Sequence, residues 1–187
     1  MTVAVGRRER TKAANRAAIL HAALEVFGEL GYEGVAVRDI VRRTELASGT
    51  FYNYFPDKDA VFDALIADAA AAARRRVHEA RATARDRAEL IERGFRAYFA
   101  WVVEDPVRFA FLRRNLARGI AEALPAVVGE LAADLARHEA ADREDLDYLA
   151  HAMVAVGVEL GARMAEREPP DVEGATRFAT ALFVRRG

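Results

Sequence analysis

Between Gly31 and Phe62 the chain reads GYEGVAVRDIVRRTELASGTFYNYFPDKDAVF, and few folds accept that string. Val37, Ile40, Val41 and Leu46 recur at helical spacing, and the pattern breaks at Thr44-Glu45. A second short helix follows, in which Phe51 and Phe55 turn to the core. Ser48, Thr50, Tyr52, Asn53 and Tyr54 are left largely on the other side. A two-turn helix is marginal in water by itself, so both segments must lean on neighbours. An outer face of hydroxyl, phenol and amide groups suits a polar ligand. Two short helices around a tight turn are the arrangement used to read DNA.

The flanks supply the support. A first helix is predicted over about 11–30, with Ala18, Ile19, Ala22, Ala23, Val26, Phe27 and Leu30 on one stripe and Gly31 as the residue that ends it. Residues 1–10 are expected to form a disordered basic arm. Residues 1–16 hold Arg7, Arg8, Arg10, Lys12 and Arg16 against Glu9 alone, a local charge of five minus one, +4, in a chain whose net charge is -1. Only basic groups close to phosphates release counterions, so the local balance is the one that bears on DNA. Pro56-Asp57 breaks the chain, and Asp57 is set to cap a long helix through Val61, Phe62, Leu65, Ile66, Ala69, Ala73 and Val77. Arg74, Arg75 and Arg76 read as its solvated face.

From Arg16 to Leu65, AAILHAALEVFGELGYEGVAVRDIV followed by GTFYNYFPDKDAVFDALI resembles the TetR-type (tetracycline-repressor-like) transcriptional regulators. The resemblance implies an all-α protein with a three-helix helix-turn-helix head over 11–56. An antiparallel helical bundle over 57–187 would bind ligand and dimerise through its last two helices. It also implies a phosphate contact from Lys58. By chemistry, Arg38, Ser48 and Asn53 suit base edges, with Asn a good partner for adenine. Gly49 lets the backbone approach a groove. Thr50, Tyr52 and Tyr54 either donate hydroxyls to phosphates or simply pack. Ala36, Glu45 and Ala47 depart from the family pattern of a Thr or Ser cap, a turn glycine and a serine cap. Both motif helices are therefore expected to lack side-chain caps, at about 1 kcal/mol each, unless Ser48 caps one residue late.

Behind the head, aromatics gather on two segments. Phe95, Tyr98, Phe99, Trp101, Val102, Phe109 and Leu112 form either a filled core or an apolar ligand pocket, with Arg113 placed for an anionic head group. Gly119 and Pro125 are expected to bracket a loop before a helix to about Glu139. Asp142 then caps a helix over about 143–167 with a bulky stripe (Leu146, Leu149, Met153, Val156, Leu160, Met164) and a small one (Ala150, Val154, Gly157, Gly161). Two stripes mean two buried faces. The small stripe, with Phe178 and Leu182 of the last helix, is the expected dimer interface. That last helix, from Asp171, is expected to bury Ala175, Phe178, Ala179, Leu182 and Phe183.

Other chemistry is not encoded. There is no cysteine, and the four histidines are scattered; Asp147 and His151 lie four apart without a third ligand, so no metal or cofactor is expected. No Gly-rich phosphate loop or nucleophile motif points to an enzyme. The apolar runs are too short to span a bilayer, and the N-terminus lacks a secretory apolar block, so a cytoplasmic location without a membrane partner is expected. The reading is a repressor that binds a palindromic double-stranded operator as a homodimer. A small apolar or amphipathic effector, fatty acyl or neutral and drug-like, would release it. The alternative is a small-molecule-binding helical dimer with lost or weak DNA binding, left open by Ala36, Glu45 and Ala47.

Overall fold

The computed structural model describes residues 6–138 and 142–184, excepting the side chains of 116–122. Among the described residues the fold is all α. The helices are α1 (Arg7–Gly34), α2 (Val37–Arg42), α3 (Ser48–Tyr52), α4 (Lys58–Arg81), α5 (Arg87–Glu104), α6 (Pro106–Arg114), α7 (Leu116–Ala136), α8 (Arg143–Ala165) and α9 (Val172–Val184). The chain divides into two compact units, Met1–Asp68 and Ala69–Gly187, and the division falls inside α4. No described helix is long and apolar enough to cross a membrane.

In the first unit, α1 buries Ile19, Leu20, Ala22, Ala23, Val26 and Phe27. Two expectations fail here. Residues 7–10 are helical rather than part of a disordered arm, while residues 1–5 lie outside the described residues. Leu30 is 53% exposed because α1 ends its packing at Gly31, whose φ of 68° only glycine adopts cheaply. The chain then doubles back, and the ring of Phe62 meets those of Phe27 and Tyr32 at 5.0 and 4.7 Å. The buried rings of Phe27 and Phe62 contribute roughly 1.5–3 kcal/mol each.

The helix-turn-helix is secured in ways the missing caps do not suggest. Asp39 reaches back from the first turn of α2 and accepts from the Ala36 N–H at 2.9 Å, which supplies half of a capping box without a Ser or Thr. Thr44 closes the turn: its hydroxyl donates to the Val41 carbonyl at 2.9 Å and accepts from the Leu46 N–H at 3.2 Å. Arg43, just past α2, pairs with Glu29 and Glu25 of α1. Ser48 is the first helical residue of α3 and caps nothing; Ala47 stands at the cap without a side-chain bond. Asp57 caps α4 as expected, accepting from the Ala60 N–H at 2.8 Å.

In the second unit, α5 packs against α8 and α9. Phe95 stacks with Phe99 and Phe183 at centroid distances of 5.8 and 5.9 Å. Asp86 and Asp105 cap α5 and α6, and Asp142 caps α8. The expected loop between Gly119 and Pro125 is not formed. α7 runs through both residues, with Pro125 in its interior despite the backbone bond a proline forfeits. Tertiary packing of Val128, Leu131 and Leu135, all buried, outweighs that local loss.

Candidate functional site

The head presents one polar surface. Phe51 and Phe55 are buried beneath α3, while Ser48, Gly49, Tyr52 and Asn53 on its outer side are exposed. Thr50 and Tyr54 are half-buried. Arg38 projects from the first turn of α2 with most of its side chain in solvent. The face of Gly49 is open, and a Cβ built there meets nothing within 4 Å. Along α1, Arg8, Lys12 and Arg16 follow at four-residue intervals and are exposed, which sets three cations on one helical stripe. Lys58 is engaged otherwise. Its ammonium donates to the carbonyls of Tyr32 and Val35 at 3.1 and 3.3 Å and lies 4.4 Å from the Tyr32 ring centroid. It braces the loop ahead of α2 with two of its three donors.

The second unit contains a cavity of about 190 Å³ between α4, α5, α6, α7 and α8. Phe95, Tyr98, Trp101, Phe109, Leu112 and Arg113 line it. Phe99 and Val102, also expected there, do not: they are fully buried on the sides of α5 that pack against other helices. Burial pushes the Tyr98 phenol above its ordinary range. Arg113 pairs with Glu166 at 3.4 Å near the surface.

The cavity wall also holds a residue that the sequence reading passed over. Arg81 is 4% exposed and directs its Nε to Asp134 of α7 at 2.9 Å, itself buried. Burial lowers the Arg81 pKa and Asp134 opposes that shift; a guanidinium remains charged under both influences. The signal was present, since Arg81 continues the Ala73–Val77 stripe by one more turn and so falls on the buried side.

The small stripe of α8 faces inward. A Cβ at Gly161 would meet Tyr98 Cε1 at 3.1 Å and Val102 Cγ2 at 3.4 Å, and one at Gly157 would meet the Phe95 ring at 3.5 Å. Ala150 is fully buried, and Val154 and Gly157 line the cavity. Gly157 and Gly161 thus receive α5 of the same chain, where a dimer interface was expected. Phe178 and Leu182 are not buried as expected: at 58% and 47% exposed, one turn apart, they leave an apolar stripe on α9 without a cover, and Tyr148 of α8 is exposed as well.

The model of the bacterial regulatory proteins of the tetR family matches residues 19–65, the segment that forms this head. Residues 19–65 thus carry a head of the tetR type. YvdT, an uncharacterized HTH-type transcriptional regulator of Bacillus subtilis strain 168, is 45% identical over 47 residues, 25% of this chain and 24% of that protein. The match thus spans about a quarter of the relative's length. Over nearly the whole chain, the fold is similar to that of a TetR-like transcriptional regulator from Rhodococcus sp. RHA1, with a TM-score of 0.73, 20% identity and 97% of each chain covered. It is also similar to the transcriptional regulator FadR from Bacillus subtilis in complex with stearoyl-CoA, with a TM-score of 0.71, 19% identity, and 90% of this chain and 97% of that one covered.

Proposed function

We propose that this protein is a ligand-responsive transcriptional repressor. A homodimer would grip a palindromic operator, and a small effector in the bundle would release it. The observation that carries the reading is the two-sidedness of α3. Phe51 is buried below while Ser48, Tyr52 and Asn53 stand free above, on a helix too short to persist as mere scaffold. Asn53, Ser48 and Arg38 are the base-reading candidates, and Tyr52 with Arg8, Lys12 and Arg16 the phosphate grip. One such helix makes too few contacts, so two heads are required.

The dimer face is assigned to Phe178 and Leu182 of α9 with Tyr148 of α8, since an exposed apolar stripe of this kind favours a second copy. The effector site is the cavity behind α5. FadR, with the same fold, holds stearoyl-CoA, which supports an amphipathic acyl class of ligand. α4 carries cavity-lining residues such as Val77 and Arg81 near one end and begins at Lys58 of the head, so one helix is available to couple the two. A coupling of 1–3 kcal/mol changes DNA affinity about 5- to 150-fold. The test is binding to the DNA flanking the protein's own gene, with and without acyl ligands. Binding relieved by a ligand supports a repressor; a ligand-binding dimer indifferent to DNA replaces it.

A further inference from the structure

We infer that the cavity takes a compact amphipathic monocarboxylate whose anionic group is held by the buried guanidinium of Arg81. The inference rests on the effector reading above and names the class of ligand. Three arginines line the cavity, Arg74, Arg81 and Arg113, and no acidic side chain among the described residues does. Two of the three are taken at the surface, Arg74 by Glu130 and Arg113 by Glu166. Arg81 alone is buried, and among the described residues it bonds through Nε only. A guanidinium carries five N–H donors in a fork that fits a carboxylate, so the remaining side of the fork is free to serve a ligand while Asp134 holds the other. Gly94 of α5 lies alongside, where a Cβ would be in ordinary contact with Arg81 Cδ at 3.4 Å.

The ligand's size follows from the volume. A dry cavity of about 150 Å³ lined by Leu, Ile and Phe admits benzene. At about 190 Å³, this one has room within its walls for a ring or a short acyl chain. The aromatic walls, Phe95, Tyr98, Trp101 and Phe109, leave the carboxylate no other buried cation.

Calorimetry on the full chain with octanoate, benzoate, their uncharged amides and stearoyl-CoA tests this. Both carboxylates are expected to bind at least ~10-fold more tightly than their amides, the scale of a charge-assisted hydrogen bond. The double variant Arg81→Met/Asp134→Leu removes both members of the buried pair, a change cores tolerate better than the loss of one. It should melt cooperatively and bind acid and amide alike. A preference that survives in the double variant overturns the inference. Should that variant not fold, Arg81→Lys keeps the charge without the fork and should cut the preference several-fold; an unchanged preference again overturns it. Binding of stearoyl-CoA alone sinks the compact carboxylate but leaves the effector reading standing. Failure of every probe, with DNA binding unmoved by the cavity-filling Val154→Trp, sinks both.

Discussion

Gly49 separates fold from function within a single residue. Nothing lies within 4 Å of a Cβ added there, and glycine weakens a helix by up to about 1 kcal/mol against alanine. Gly49→Ala is therefore expected to raise the melting temperature while lowering operator affinity, because the methyl group enters the space a groove would take. A variant that melts higher and binds DNA unchanged would remove Gly49 from the interface. Tyr98 gives a pH test of the cavity. Its folded pKa lies above the ordinary value of about 10, so the stability it contributes is full below that pH. As pH rises past 10 the unfolded chain ionises first and that stability is lost. Tyr98→Phe should abolish this share of the alkaline loss in a pH series of melts. Lys58, where the resemblance implies a phosphate contact, also braces the head. A pattern match cannot tell a cation reaching for phosphate from one already donating to Tyr32 and Val35.

Elements were legible where their signals are local. The positions of α3, α5 and α8 follow from spacing, and the caps of α4 and α8 from Asp57 and Asp142. The partners of each face were not. A stripe of glycines looks the same in sequence whether it receives a helix of its own chain or of a second copy, and only the placement of Tyr98 and Val102 shows that Gly157 and Gly161 receive α5. Phe178 and Leu182 carry the same period as core residues, yet α9 turns them outward. Pro125 and Gly119 suggested a break because propensity is local, whereas the burial that overrides it along α7 is not. The distinction yields opposite outcomes. Gly161→Ala crowds Tyr98 and should cost about 1 kcal/mol of stability in chemical denaturation without changing the oligomeric state. Phe178→Asp with Leu182→Asp should yield a folded monomer in sedimentation, and a dimer that survives both charges would refute the α9 face. Asp39→Ala should cost about 1 kcal/mol through the lost bond to the Ala36 N–H.

At the scale of the molecule, an almost neutral chain gathers its positive charge where the proposal needs it, on the α1 stripe and beside α2. The second unit offers an apolar cavity with one buried cation. Head and bundle share α4, which gives the proposed release a covalent path. The most direct test of the whole account is the affinity of the full chain for the DNA flanking its own gene, measured by fluorescence anisotropy across salt concentrations. The account predicts that log K falls linearly with log salt, on the order of 10³-fold between about 50 and 200 mM. Asn53→Ala should cost about 1–3 kcal/mol with little change in that slope, whereas Arg8→Ala with Lys12→Ala should flatten it. Binding that is absent, insensitive to salt, or untouched by these variants would contradict it.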